Sequence, residues 1–238
     1  MTELLRPLRA LVAVALALAS ASTRADSSGI DAVYHPYVQP LERDLEIRLT
    51  HADDGGPVDG QTWRIGYGQS LTERLFAEVY VIGQNRHGGD LRLEGYEFEA
   101  LWQLTEQGEF AADWAVLGEF ERARHGDSQS GSVMLIGERQ WGRLIGTVNA
   151  AVGYEWGADV GDEPETRLTL QGRYRHSPRL EPAVEFFAAE KLLALGPALL
   201  GTERIGPGRR LRWELGLAAG LDANSPPLSA RGTLEYEF

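Results

Sequence analysis

The chain is 238 residues long and acidic, with 35 Asp and Glu against 23 Lys and Arg, and its net charge of −12 argues against a nucleic-acid partner. It has no cysteine, which excludes a disulfide scaffold, a thiolate metal site and a lipid-anchored amino terminus. Its 43% apolar content exceeds what a disordered chain carries, and 28 glycines suit strands that curve and pack closely.

Residues 1–25 read as a secretory signal, with Arg6 and Arg9 ahead of the apolar run Leu11 to Ala19 and Ala19-Ser20-Ala21 or Thr23-Arg24-Ala25 as cleavage sites. Cleavage after Ala25 removes Arg6, Arg9, Arg24 and Glu3, leaving 20 basic and 34 acidic residues, a charge of −14. No other segment approaches the ~20 consecutive apolar residues of a membrane helix, so any membrane crossing must be made by strands. Residues 26–40 have no sustained period and carry Pro36 and Pro40.

From residue 41 the chain falls into alternating runs. Strand one, Arg43 to Thr50, sends Leu45, Ile47 and Leu49 one way and Asp44, Glu46 and Arg48 the other; strand two, Thr62 to Ser70, sends Trp63, Ile65 and Tyr67 outward. Strand three is Leu75 to Gly83. Strand four, Leu91 to Leu104, changes phase between Leu93 and Tyr96, which predicts a bulge at Gly95. Strand five is Phe110 to Glu121. Strand six, Val133 to Trp141, is irregular because Met134 and Ile136 share a face with Glu138 and Gln140. Strands seven and eight run from Leu144 to Trp156 and from Arg167 to Arg175. Strands nine, Ala183 to Ala189, and ten, Leu199 to Ile205, flank a loop at 190–198 in which Lys191 to Leu195 reads as a helical turn. Strand eleven alternates Leu211, Trp213, Leu215, Leu217, Ala219 and Leu221; after a turn at Asp222 to Pro227, strand twelve alternates Leu228, Ala230, Gly232, Leu234, Tyr236 and Phe238. The count is twelve, with ten or fourteen left open by strands six, nine and ten. Longer odd-to-even gaps alternating with mostly shorter even-to-odd ones agree with that count.

The closing strand, Leu234-Glu235-Tyr236-Glu237-Phe238, resembles that of bacterial outer-membrane β-barrel proteins, which alternates and ends in an aromatic residue read by their assembly machinery. The resemblance covers Glu42 to Phe238 and extends to the porin-like, transporter group. It implies an all-β fold: a single antiparallel up-and-down transmembrane β-barrel at 41–238, with residues 26–40 as a periplasmic amino-terminal segment packed beneath it or tucked inside. The implied partners are outer-membrane lipid and lipopolysaccharide, the barrel assembly machinery and a small-molecule solute, for a monomer without a cofactor in the outer membrane.

In such a barrel the charged faces point inward. Strands four and five supply Glu97, Glu99, Asp113, Glu119 and Glu121; strands eight, ten, eleven and twelve supply Arg167, Arg173, Arg175, Arg204, Arg212 and Arg231. Twelve strands set these acidic and basic walls opposite each other. If they meet, ion pairs fill the interior; if water separates them, a transverse field acts on solutes. The first outcome solvates a closed barrel and the second filters a channel for small polar or charged solutes.

Two other readings are weighed. An outer-membrane lipid hydrolase needs a hydroxyl beside a base; His125 with Ser128 or Ser130, and His176-Ser177, are the candidates, and no His-x-Ser stands on a strand. A closed barrel could instead bind a partner or a metal ion through its outer loops, with His51, His87 and His125 as ligand candidates. The sequence favours a channel over an enzyme.

Overall fold

The computed structural model describes residues 30–53, 60–86, 90–158, 163–190 and 192–238. The signal sequence expected at 1–25 lies outside them. Twelve strands form: β1 (Arg43–Asp53), β2 (Gly60–Ser70), β3 (Leu75–Arg86), β4 (Arg92–Gln103), β5 (Asp113–Ala123), β6 (Ser128–Trp141), β7 (Leu144–Gly157), β8 (Glu163–Tyr174), β9 (Glu181–Ala189), β10 (Leu192–Gly206), β11 (Arg209–Gly220) and β12 (Leu228–Glu237). Each pairs antiparallel with the next, and β12 returns to β1, so the sheet closes into an up-and-down barrel. The Phe238 amide donates to the Arg43 carbonyl at 2.8 Å and finishes that seam.

The two faces invert the pattern of a soluble sheet. Along β1, Leu45 and Ile47 are exposed while Asp44, Glu46 and Arg48 are buried. The same holds on β3, where Val79 and Val81 face out and Glu78 and Tyr80 face in. An exposed apolar band around a charged interior is the arrangement a lipid-embedded barrel requires, because closure satisfies the backbone and alternation puts every second residue against lipid.

Several boundaries differ from the sequence expectation. β6 begins at Ser128 and β8 at Glu163, each earlier than expected, and β5 begins at Asp113, later. The largest difference is β10, which starts at Leu192: the segment expected as a loop with a helical turn is strand from Leu192 onward, paired with β9 from Ala189 to Glu181. Its inward residues are apolar because Leu192 and Ala194 pack with Phe187, Ala218 and Ile30. The loop asymmetry is accordingly weaker than expected, since β9 and β10 are separated by two residues while 104–112 join β4 to β5. The bulge falls one residue before Gly95: Ile82 pairs with Gly95 and Gly83 with Leu93, leaving Glu94 over.

Gly66 and Gly68 point into the lumen on β2. A side chain at Gly66 would strike the Tyr80 ring and come within 2.6 Å of Glu78 Oε1; one at Gly68 would strike the Phe76 ring and Asp44 Oδ1. Bare backbone here lets large neighbours fold across the inner wall.

Candidate functional site in the barrel lumen

The amino-terminal segment is not a tail beneath the barrel; residues 30–39 run through its interior. At the end holding both the start of β1 and the carboxy terminus, periplasmic in barrels of this class, Val38 donates its amide to Gln103 Oε1 at 2.8 Å and Tyr37 its hydroxyl to Asp113 Oδ2 at 2.7 Å. Further in, His35 Nδ1 lies 2.7 Å from Glu138 Oε2. At mid-depth the Tyr34 hydroxyl donates to Glu99 Oε1 at 2.6 Å, Tyr34 packs against the buried cluster of Ala115, Leu117, Met134, Ile136 and Ala151, and its backbone is held by Asn149. Asp31 accepts from Arg48 at 3.3 Å and forms an ion pair with Arg64 at 3.1 Å, and Ile30 packs near the outer end of β10. The chain reverses into β1 at Leu41, a non-glycine residue at φ 67°, a conformation with a steric cost that the surrounding turn must hold in place.

The wall side chains converge on this segment. Arg48 is the hub: it donates to Tyr34 Oη at 2.7 Å, to Tyr80 Oη at 2.6 Å and to Glu46, and lies 3.6 Å from Glu99. Among the segment's own groups, which belong to no strand, burial works to raise the Asp31 carboxyl, but Arg64 and Arg48 outweigh it and hold it below its ordinary range. Burial dominates at Tyr34, and although Arg48 opposes it the phenol stays well above its usual value, a neutral donor.

The residues singled out from sequence are distributed as follows. Glu97 faces Arg64 at 3.5 Å, and Glu121 faces the same arginine at 4.0 Å. Glu119 pairs with Arg167 at 2.5 Å. Arg173 lies 3.1 Å from Glu181 and 3.7 Å from Glu138, while Arg175 reaches Glu181 at 3.4 Å. Arg212 contacts Glu42, Glu235 and Glu237 at 3.0–3.2 Å. Arg231 is held by Glu185 at 2.6 Å and Glu214 at 2.9 Å. Glu99 and Asp113 serve the amino-terminal segment, and Arg204 is exposed near the periplasmic end. Acids and arginines thus interleave locally rather than standing as two facing walls. Sequence reasoning missed Arg48, Arg64, Asn149, Glu138 and Glu185; the first two were legible as inward positions of β1 and β2, the others only through their partners.

Of the loop candidates, His51 Nδ1 lies 3.2 Å from the Gly60 carbonyl, His125 is exposed in a turn, and His87 lies outside the described residues. The Ser128 hydroxyl donates to Glu155 at 2.7 Å, and Ser177 is tied by a backbone bridge to Leu180. On β12, Leu234 faces outward and Tyr236 stacks on Phe238 with ring centroids 5.6 Å apart.

A closed up-and-down barrel with an apolar exterior and a charged lumen is the architecture of bacterial outer-membrane β-barrels. The solved structures agree. An outer membrane channel from Pseudomonas putida F1 aligns over 90% of this chain and 99% of its own at 11% identity, with a TM-score of 0.54. The KdgM porin in complex with disordered oligogalacturonate aligns over 82% and 98% at 9% identity and 0.53, and the NanC porin over 82% and 98% at 10% identity and 0.51. At these identities the likeness is one of fold. The sequence matches no protein-family model and no curated protein.

Proposed function

We propose that the protein is an outer-membrane channel for passive passage of small polar or charged solutes, with residues 30–39 forming a constriction inside its lumen. The observation that carries this reading is a pair of charged chambers against that segment. One, of about 180 Å³, is lined by Tyr37, Glu42, Asp44, Glu78 and Arg212 toward the periplasmic end; the other, of about 250 Å³, by Asp31, Arg64, Glu97, Glu121 and Arg167 toward the outer end. Residues 1–25 direct secretion on this reading, Leu234, Tyr236 and Phe238 present the assembly signal, and the barrel acts as a monomer.

Carboxylates outnumber guanidinium groups around both chambers. That excess supports passage of cations and neutral polar solutes over anions. A polyanion such as the oligogalacturonate in the KdgM complex would be repelled. Reversal potentials of the refolded mature protein in planar bilayers test this: K⁺ should be preferred over Cl⁻, and replacing Arg173, Arg175 and Arg212 by Ala should deepen the preference. Unchanged selectivity in that variant would remove these arginines from the filter.

A closed barrel that binds a partner or metal through its outer loops is favoured by one observation, the fastening of the segment's Tyr34 and Val38 amides to wall side chains. A correctly folded barrel that is silent in bilayers would support that second reading.

A further inference from the structure

Along β5 the outward positions are Trp114, Val116, Gly118 and Phe120, and the next is Arg122, with Arg124 following in the turn; both arginines are exposed. From Trp114 to Arg122 the chain runs about 27 Å along a tilted strand, enough to cross most of an apolar band ~25 Å tall. Arg122 therefore stands at the outer interface, at the end away from the carboxy terminus.

The register surrounds these guanidinium groups with aromatic rings. Arg122 lies directly across from Tyr96 on β4 and from Gln129 on β6, and Gln129 lies across from Trp156 on β7. One step toward the membrane centre, Phe98, Phe120, Gly131 and Tyr154 form the next outward row. Gly131 leaves a gap in that row, and the Trp156 indole folds over it: a Cβ there would meet the ring at 3.4 Å. Trp156 so reaches both neighbours, with ring centroids 6.2 Å from Phe120 and 6.3 Å from Tyr154, the second pair stacked. Three rings thus floor the surface just below two guanidinium groups.

In the lumen Arg64, Arg167 and Arg231 each meet a carboxylate. Arg122 and Arg124 meet none among the described residues, although the net charge of the chain is −12. Nearby acids are turned elsewhere. Register sets Glu121 beside Glu97 on the inward face, and Glu155 accepts from Ser128. Glu94 contributes its backbone carbonyl, which accepts from the Arg124 amide at 2.6 Å.

We infer that this surface holds the phosphorylated headgroup of an outer-leaflet lipopolysaccharide, with Arg122 and Arg124 meeting a phosphate and Phe120, Tyr154 and Trp156 meeting the first methylenes of its acyl chains. A guanidinium presents paired donors that match phosphate oxygens. Aromatic rings settle at the level where acyl chain gives way to headgroup. The charges are complementary: an unpaired basic pair, on an otherwise acidic protein, stands at the height where a phosphorylated lipid presents its anions. The surface is on the outside of the barrel, so it binds lipid or fails to whether or not the lumen conducts.

The test is native mass spectrometry of the folded, delipidated mature protein in micelles, titrated with diphosphoryl lipid A. One retained lipid is expected. The variant carrying Arg122→Ala and Arg124→Ala should bind it at least about tenfold more weakly, the loss that one charge-assisted hydrogen bond entails. Arg139→Ala, at the periplasmic end, where the guanidinium lies 5.1 Å from the Trp141 ring, should bind as the parent does. Dephosphorylated lipid A and phosphatidylglycerol should both bind the parent more weakly than the diphosphoryl form. If the double variant does not fold, Arg122→Gln alone serves, its folding checked by heat-modifiable migration. Equal retention by parent and variant, or a comparison lipid held as tightly as diphosphoryl lipid A, would overturn the inference.

Discussion

Asn149 reads the backbone of Tyr34 at both ends of its amide: the Tyr34 N–H donates to Asn149 Oδ1 at 2.8 Å, and the Asn149 Nδ2 amide donates to the Tyr34 carbonyl at 2.9 Å. One wall side chain thereby supplies the two hydrogen bonds that a neighbouring strand would give, to a segment that pairs with no strand. Both groups lose their partner in Asn149→Ala, at about 2 kcal/mol of docking for a pair of polar groups left in the lumen, part of which chamber water restores. Amide exchange across residues 30–38 should therefore quicken by about thirtyfold with the barrel strands unchanged. Hydrogen-exchange mass spectrometry checks it, and unchanged protection would mean that the other contacts suffice.

Arg231 and Glu185 tie β12 to β9 across the interior, with the two side chains 1% and 3% exposed. Breaking a buried pair by removing one partner leaves a desolvated charge, at about 3–5 kcal/mol. Arg231→Ala should lower the denaturant midpoint of the lipid-embedded barrel accordingly. Replacing Arg231 by Met, Glu185 by Leu and Glu214 by Leu together should recover most of the loss, because apolar side chains of similar volume relieve the arginine and both of its carboxylate partners.

The pH dependence of docking follows from Asp31. Its carboxyl is held below the ordinary range by Arg64 and Arg48 against the opposing effect of burial. A depressed value in the docked state means that the contribution is fully present above the undocked pKa of about 3.9 and is lost as pH falls through the docked value. The Tyr34 amide resonance in micelles should thus report no Asp31-linked release of the segment between about pH 5 and 8, with release only in stronger acid. Asp31→Asn should loosen the segment at neutral pH and remove that acid step.

The sequence made the barrel legible because alternation of period two survives wherever one face meets lipid and the other meets water or charge. It failed in an informative place. Alternation predicts an irregular strand six at Met134 and Ile136 and a loop over Leu192 to Ala198; in the structure Met134 and Ile136 are apolar inward residues that meet Tyr34, and Leu192 and Ala194 are apolar inward residues that meet Ile30. A segment passing through the lumen supplies a second apolar surface, and the walls that receive it lose the polar half of their alternation. The charged interior was legible as a set of inward residues, but the pairing was not, since Arg48 with Asp31 and Arg231 with Glu185 join strands or segments distant in sequence.

Single-channel conductance of the mature protein, compared with a variant lacking residues 30–38 and shown to be folded, tests most directly whether this is a channel narrowed by its own amino-terminal segment. The expected result is a small conductance in the full chain and a several-fold larger one in the variant, with cation preference kept in both. Equal conductances, or two silent barrels, would contradict it: the segment would then be no constriction, or the wall ion pairs alone would close the lumen.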